Sequence, residues 1–229
     1  MISVVIPTLN PGNGLVATLS ALVPAVVQGI VREVIIVDGG STDETRHIAD
    51  AAGALFMRSQ RGRGVQLADG AQAARADWLL FLHADTVLQP GWEQEAAAFI
   101  ERVDGGSRPE AAAAFGFALD DFGAKPRFLE FLVALRCALL RLPYGDQGLL
   151  IARRLYHEIG GFRPLHLMED VDIVRRLGRR RLVMLRSKAV TSAVRYKREG
   201  YVARMARNML CLGLYYLRVP SKTLLRLYG

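Results

Sequence analysis

The stretch EVIIVDGGSTDET, residues 33–45, decides the fold class of this 229-residue chain. Its first part is a continuous apolar, β-branched run that ends in Asp38, and the polar residues that follow turn into a helix. A strand that is buried on both faces has such an unbroken apolar run, whereas a strand with one solvated face alternates. The stretch therefore predicts one β–α unit of a parallel sheet.

The same pattern recurs along the chain. Further strands are predicted at 2–7, 54–59, 77–83, 111–119 and 182–187, with a short one inside 144–162. Helices are predicted at 14–28, 65–75, after Pro90, at 126–142, from about residue 169 and at 197–218. Because strands and helices alternate, we expect an α/β fold with a mostly parallel central sheet flanked by helices.

Charge is distributed unevenly. Residues 1–172 hold 15 basic and 21 acidic residues, whereas residues 173–229 hold 15 basic residues and the single acid Glu199. The net charge of +8 therefore comes from the C-terminal quarter. Such asymmetry predicts an anionic partner for that quarter, and phosphate groups, lipid headgroups and nucleic acid all qualify.

The cysteines and the apolar segments indicate the cellular location. Cys137 and Cys211 lie in apolar segments without a partner at metal-ligand spacing, which predicts buried free thiols in a reduced compartment. No leader is visible, and the charge-free run NMLCLGLYYL, 208–217, is half of the roughly 20 residues that span a bilayer. We expect a cytoplasmic protein, with association at the inner face of the membrane as the alternative.

Three predicted strands end in polar clusters, PTLN at 7–10, VDGG at 37–40 and HADT at 83–86. In open parallel sheets ligands bind beyond the carboxyl ends of the strands, so the three clusters are expected to share one edge. Neither G-x-G-x-x-G nor a P-loop follows the first strand, which argues against both of those phosphate sites. For Asp38 taken alone, a role as a turn former is an equal alternative.

His83 and Asp85 are two residues apart, so in extended backbone they would point to the same side. A carboxylate there could bind Mg²⁺ or Mn²⁺, with a diphosphate supplying much of the remaining coordination. Histidine suits Mn²⁺ better than Mg²⁺. The alternative is that Asp85 caps the following turn while His83 packs against the sheet edge.

A second acidic cluster is MEDVD, 168–172. On a helix, Asp170 and Asp172 diverge by about 200° and cannot act together. Glu169 and Asp170 could project into a cleft from the helix N-terminus, where one carboxylate would serve as a general base. The alternative is ordinary acidic bias in a first turn.

The segments SVVIPTLN, IIVDGGSTDET, FLHADT, GDQGLLIARR and MEDVDIVRRL resemble, in order and rough spacing, the inverting glycosyltransferases of family 2 with the GT-A fold. The resemblance covers residues 2 to about 181. Within the family the chain is similar to short bacterial members near selenium- and arsenosugar-related genes. The resemblance implies a UDP-linked nucleotide-sugar donor, a divalent metal (Mn²⁺ or Mg²⁺) and an unidentified hydroxyl acceptor.

The resemblance also implies roles for individual residues. Asp170 would be the base that deprotonates the acceptor, Glu169 would support it, and Asp85 would bind the metal. His83 stands at the first position of the family's D-x-D motif, where an acid is common, so it would contact ribose, metal or phosphate. The other implied donor-side residues are Pro7, Thr8, Asn10, Asp38 (to the base) and Arg61 or Arg63, with Asp146 and Gln147 at the acceptor and diphosphate side.

The basic segment 197–229 is predicted to be an amphipathic helical extension of a domain that spans 1–196. Its helix could pack an apolar stripe on the domain and leave a basic face in solvent, attach to a membrane, or form a homodimer interface. With no Q-x-x-R-W motif, we expect transfer of a single sugar to a small or lipid-linked acceptor. The rival functions are a nucleotidyltransferase and a non-enzymatic module that binds an anionic surface; we expect no nucleic-acid partner.

Overall fold

The computed structural model describes residues 1–165 and 167–217, together with residues 219, 223, 224 and 227. The strands are β1 (Ile2–Thr8), β2 (Val31–Asp38), β3 (Leu55–Arg58), β4 (Trp78–Phe81), β5 (Thr86–Leu88), β6 (Ala112–Leu119), β7 (Leu149–Ala152) and β8 (Leu182–Thr191). The helices are α1 (Gly14–Val27), α2 (Thr45–Ala51), α3 (Arg63–Ala73), α4 (Trp92–Asp104), α5 (Ala124–Leu140), α6 (Arg153–Glu158), α7 (Glu169–Leu177), α8 (Val194–Glu199) and α9 (Tyr201–Tyr216). Short 3-10 turns cover Gly145–Gln147 and Arg179–Arg181.

The strands form one sheet in the order β3-β2-β1-β4-β7-β6-β8-β5 within the described part of the chain. The pairings give β7 and β5 the opposite direction to the other strands. The prediction of a mostly parallel sheet is therefore confirmed. The strands β2, β1 and β4 are neighbours, so their polar carboxyl ends do lie at one edge, as predicted.

Close packing of α3 on the sheet explains why this helix contains a glycine. A Cβ atom at Gly70 would lie 2.3 Å from Val5 Cγ1 and 2.8 Å from Val37 Cγ2. The helix can therefore approach β1 and β2 only because position 70 lacks a side chain. The apolar residues of β1 and β4 are almost completely buried on both faces.

The segment after β4 differs from the extended backbone that the sequence predicts. The strand ends at Phe81 rather than at residue 83, and a turn follows in which Thr86 N donates to His83 O at 3.3 Å. β5, which no sequence pattern indicated, then runs antiparallel to β8. A strand of three residues is too short to show a period.

The C-terminal segment is two helices rather than one. Gly200, with φ of +86°, separates α8 from α9, and the predicted boundary at 196/197 falls inside α8. Residue 218, where the predicted helix ends, and 220–222, 225, 226, 228 and 229 of the predicted extension lie outside the described residues. Both predicted free thiols are buried and unbridged.

One alternative from the sequence, in which α9 packs an apolar stripe on the domain and leaves a basic face in solvent, is confirmed only in part. Tyr201, Met205 and Leu212 do pack against the buried clusters. Arg204 is only 8% exposed, while Met209 is 66% exposed. Arg204 is held by Glu199, whose carboxylate lies 3.0 Å from its guanidinium. In the part of the chain that the structure describes, no helix combines the length and the apolar character needed to cross a bilayer.

Candidate functional site

The loops after β1 and β2 are joined by polar side chains that were predicted to bind a nucleotide. Asn10 Oδ1 accepts a hydrogen bond from Thr42 N at 2.8 Å, and Asn10 N donates to Ser41 Oγ at 2.8 Å. Thr8 Oγ1 donates to Asp38 Oδ1 at 3.1 Å, and Pro7 lies between them and the strand core. The structure therefore brings Pro7, Thr8, Asn10 and Asp38 together.

Asp38 is buried and accepts hydrogen bonds on both carboxylate oxygens, from Thr8, Gly40 and Ser41. Burial acts to raise its pKa, but the bonds from Ser41, Gly40 and Thr8 together lower the pKa below its usual value. The carboxylate therefore stays ionised and holds the loop after β2. This is the turn-forming role that was the alternative for Asp38.

Gln66 on α3 is a residue that sequence reasoning missed. Its Nε2 donates to Thr8 O at 2.8 Å and to Val37 O at 2.7 Å, so it bridges the ends of β1 and β2. A Cβ atom at Gly39 would lie 3.2 Å from the Gln66 amide, which explains the glycine after Asp38. The only signal in the sequence was a polar residue at a helix position that faces the sheet.

The turn that carries His83 and Asp85 is braced by the start of α1. Thr18 Oγ1 donates to Ala84 O at 3.0 Å, and a Cβ atom at Gly14 would lie 3.4 Å from Asp85 Cα. Although the backbone turns here, His83 and Asp85 both line one cleft. Their predicted proximity is right, but the reason given for it, extended backbone, is wrong.

This cleft has a volume of about 100 Å³ and opens at the carboxyl edge of the sheet. Three carboxylates, Asp85, Asp146 and Asp170, line it together with the guanidinium groups of Arg63 and Arg195. Arg61 is exposed and is not part of the lining, so of the two arginines predicted for the donor site the cleft contains Arg63. The other lining residues are His83, Tyr144, Leu167, Met168, Thr191, Ser192, Tyr196, Arg204 and Asn208.

Asp170 lies at the N-terminus of α7 and is fixed by the backbone. Its Oδ2 accepts a hydrogen bond from Gly145 N at 2.6 Å. A Cβ atom at Gly145 would lie 2.6 Å from His83 Nε2 and 3.3 Å from Asp170 Oδ2, so the imidazole and the carboxylate flank this glycine. The preceding Met168 has φ of +65°, a conformation that is uncommon for residues with a side chain and occurs often at functional sites.

The remaining acids of α7 have different partners. Glu169 is 1% exposed and pairs with Arg63 at 3.3 Å. Burial raises its pKa, Arg63 opposes the rise, and the charge of Asp170 adds to it. Asp172 pairs with Arg176 at 2.7 Å on the other side of the helix, so the predicted divergence of Asp170 and Asp172 is confirmed.

His83 is held in its neutral form. Burial lowers the pKa of His83 well below its usual range, and the charges of Arg63 and Arg195 lower it further. A neutral imidazole has one donor and one acceptor nitrogen, and it can bind a metal ion through the acceptor.

Asp146 faces the cleft, and its buried Oδ1 accepts no hydrogen bond from the described residues. Burial raises the pKa of Asp146 to about 6; Arg136 opposes the rise, and the charges of Asp170 and Asp85 add to it. Gln147 is turned away from the cleft, because its Nε2 donates to Phe115 O at 2.9 Å and its Oε1 accepts from Arg136 at 3.2 Å.

The donor groups present fit a divalent cation only in part. Asp85, the neutral His83 and the unpaired oxygen of Asp146 are suitable ligands, but the described residues contain no cluster of three or more such side chains that could hold a metal alone. A bound ion would therefore need oxygens from its ligand.

The far wall of the cleft is the second feature that sequence reasoning missed. Arg195 and Tyr196 from α8, and Arg204 and Asn208 from α9, line it. The predicted separation of a domain at 1–196 from a C-terminal extension therefore does not describe the site. The high density of arginines was visible in the sequence, but its inward direction was not.

The sequence is similar to those of known glycosyltransferases. Residues 3–115 match the family described as Glycosyl transferase family 2. A PGL/p-HBAD biosynthesis glycosyltransferase from Mycobacterium bovis is 38% identical over 101 residues, a match that covers 38% of this chain and 36% of that protein. The matched part is thus little more than a third of the length of this curated relative.

Solved structures resemble the chain over a longer range. Glucosyl-3-phosphoglycerate synthase from Mycobacterium tuberculosis, solved with Mn²⁺ and UDP-glucose, superposes with a TM-score of 0.65 at 20% identity and covers 96% of this chain and 80% of its own. TarS from S. aureus, solved with UDP-GlcNAc, gives 0.63 at 18% identity over 83% of this chain and 58% of its own. The chain has the GT-A fold of these solved structures, as predicted, and residues 3–115 match the model of the family 2 glycosyltransferases. The narrower likeness to members near selenium- and arsenosugar-related genes stays a prediction.

Proposed function

We propose that this chain is an inverting glycosyltransferase that moves one sugar from a nucleotide sugar of the UDP-linked class to a hydroxyl acceptor. The observation that carries the proposal is that Asp85 and Asp170 face the same cleft from opposite elements of a GT-A fold. Asp85 can then help to bind the nucleotide-sugar donor while Asp170 activates the acceptor hydroxyl. An anionic-surface module without chemistry would leave this pairing unexplained.

The donor side is assigned to the loops after β1, β2 and β4. Pro7, Thr8, Asn10 and Asp38 form the wall where the nucleoside would lie. Asp85 and His83, with Asp146 beside them, would hold a divalent ion that neutralises charge on the departing diphosphate. The solved relatives support this, because the synthase was crystallised with Mn²⁺ and UDP-glucose.

The acceptor side is assigned to Asp170. An ionised carboxylate at a helix N-terminus can take the proton of an incoming hydroxyl as that oxygen attacks the anomeric carbon opposite the leaving group. A single base suffices for inversion, whereas a retaining hydrolase needs a second carboxylate as nucleophile. Glu169 supports the reaction indirectly. Its carboxylate holds Arg63 at 3.3 Å, and the guanidinium of Arg63 would then place a positive charge beside the diphosphate.

Donor binding is tested by thermal unfolding with UDP and Mn²⁺. We expect UDP with Mn²⁺ to raise the melting temperature by about 5 °C at saturating concentrations, because a ligand that binds only the folded state stabilises it. Asp85→Ala should remove most of this shift. Asp50→Ala, which loses an exposed carboxylate paired with Arg46, is the matched control and should keep it. No shift with any nucleoside diphosphate would refute the donor site.

The raised pKa of Asp146 predicts how the stability of the metal-free protein depends on pH. Its pKa is about 6 when folded, above the usual value of 3.8, so the folded state binds this proton more tightly than the unfolded chain does. Ionisation therefore costs stability as the pH rises from about 4 to about 6. Asp146→Asn should lack this loss and be more stable than the parent by about 2 kcal/mol at about pH 8.

The measurement is urea unfolding in EDTA at about pH 4 and about pH 8, with Asp50→Asn as the exposed control. The parent and Asp146→Asn should differ little at the lower pH, because Asp146 is then protonated in the folded state and close to its usual pKa of 3.8 in the unfolded chain. A variant that is no more stable than the parent at the higher pH would show that the carboxylate is solvated instead.

A further inference from the structure

The helix α5 is apolar on the face that it turns to solvent. Phe128, Phe131, Leu135 and Leu139 recur at helical spacing and are 42–64% exposed, and Phe122 before the helix is 92% exposed. The opposite face of the same helix is buried through Leu129, Val133 and Cys137. A helix on an ordinary solvated surface would carry polar residues on its outer side.

The helix α9 also exposes apolar residues to solvent. Val202, Met209 and Leu210 are exposed, whereas the polar Arg204 and Asn208 point to the cleft. Exposed Tyr216 and Leu217 continue the outer side. Because Tyr201 and Met205 also pack inward, α9 carries apolar residues on its outer side in addition to its buried side, where a solvated amphipathic helix would be polar.

The two helices pack on the same buried cluster. Leu129 and Val133 of α5 belong to the same buried cluster as Tyr196 of α8, with Tyr201 and Met205 of α9 packed against it. Lys197 also pairs with Asp121, next to Phe122, at 2.9 Å. We call the exposed apolar residues of this region the outer face; they are Phe122, Phe128, Phe131, Leu135, Leu139, Val202, Met209 and Leu210.

Basic residues border the outer face. Lys125 and Arg127 are exposed at the start of α5, and Arg141 and Arg179 are exposed at its end, where Arg179 donates to Leu140 O at 3.1 Å. The nearby acids Asp121 and Glu130 are already paired with Lys197 and Arg127. The result is an apolar centre with a positive rim.

We propose that the outer face docks on an anionic lipid bilayer. The aromatic and aliphatic side chains would enter the headgroup boundary while the basic rim binds lipid phosphates. Large exposed apolar patches mark interaction sites, and the positive rim selects among occupants, because two copies of this chain meeting face to face would bring like charges together. Contact through apolar residues of α5 and α9 differs from the basic-helix contact predicted from the sequence.

This docking would bring the cleft close to the bilayer, since α9 separates the two. If the proposed transferase activity holds, on which this step alone rests, the acceptor is a hydroxyl carried by a lipid.

The experiment is co-sedimentation of the full chain with vesicles of phosphatidylcholine alone or of equal parts phosphatidylglycerol and phosphatidylcholine. We expect binding to the anionic vesicles that weakens as salt rises. The double variant Phe128→Gln with Phe131→Gln should lower the partition coefficient at least tenfold. Val23→Gln with Val27→Gln is the matched control, because α1 exposes these two valines without an aromatic or basic residue in the helix. That control should bind like the parent.

Three results would overturn the proposal. The first is that the chain sediments with neither kind of vesicle. The second is that the α1 control variant loses as much vesicle binding as the α5 variant does. The third is that light scattering shows a dimer for the parent and a monomer for the α5 variant, while neither of them binds vesicles. The thermal shift with UDP and Mn²⁺ is measured on the same samples. Vesicle binding without that shift leaves the docking surface standing and refutes the donor site, whereas the shift without vesicle binding does the reverse.

Discussion

Asp170→Asn is expected to lower turnover about a thousandfold while leaving donor affinity unchanged. Asparagine has nearly the same shape and can still accept the hydrogen bond from Gly145 N, but it cannot take a proton from the acceptor. Turnover is measured as UDP release from the nucleotide sugar that gives the largest thermal shift, with water as acceptor where no other is known. Donor affinity is measured separately by that shift.

The matched control lies two residues along the same helix. Asp172 is also a buried carboxylate, but it pairs with Arg176 and Arg163 rather than facing the cleft. Asp172→Asn should therefore reduce stability and leave turnover per folded molecule unchanged. Equal turnover of Asp170→Asn and the parent would move the base to another residue.

Gly145→Ala should lower turnover by ten- to a hundredfold without unfolding the protein. The added methyl group would lie 2.6 Å from His83 Nε2 and 3.3 Å from Asp170 Oδ2, so the imidazole must move away from the metal side of the cleft. A displacement of about 1 Å in a catalytic group can cost a hundredfold in rate. The measurement is UDP release at saturating donor, with the melting temperature as the check on folding.

A double-mutant cycle identifies which neighbour is responsible. In a His83→Ala background the clash is gone, so Gly145→Ala should cost little more than His83→Ala alone. Full additivity would instead show that the methyl group acts through Asp170. The same cycle reports what His83 contributes to turnover.

Much of the fold could be predicted because parallel strands leave a local signal. The continuous apolar runs of β1, β2 and β4 indicated burial on both faces, and their polar ends then had to meet at one edge. The reversed direction of β7 and β5 could not be predicted, because strand pairing depends on contacts between residues far apart in sequence. β5, for example, pairs with β8, about a hundred residues away.

The candidate site was predictable where a residue follows a strand and not where tertiary packing turns a helix. Asp85, His83 and Asp170 share the cleft as expected. Gln147 was predicted at the acceptor and diphosphate side, but its amide donates to Phe115 O inside the protein. A solvated basic face was one alternative for the C-terminal helix, yet Glu199 holds Arg204 beside the cleft. The sequence contains both charges but not the break at Gly200 that brings them together.

The bracing of the 83–86 turn by α1 has a consequence for how a ligand is met. Gly14 and Thr18 hold Ala84 and Asp85 in place in the free protein. The conformational entropy of this turn is thus lost when the chain folds and not when the ligand arrives, so association needs no ordering step there. Donor affinity is thereby coupled to the integrity of the first helix, and fraying of α1 would weaken binding while the sheet stays intact.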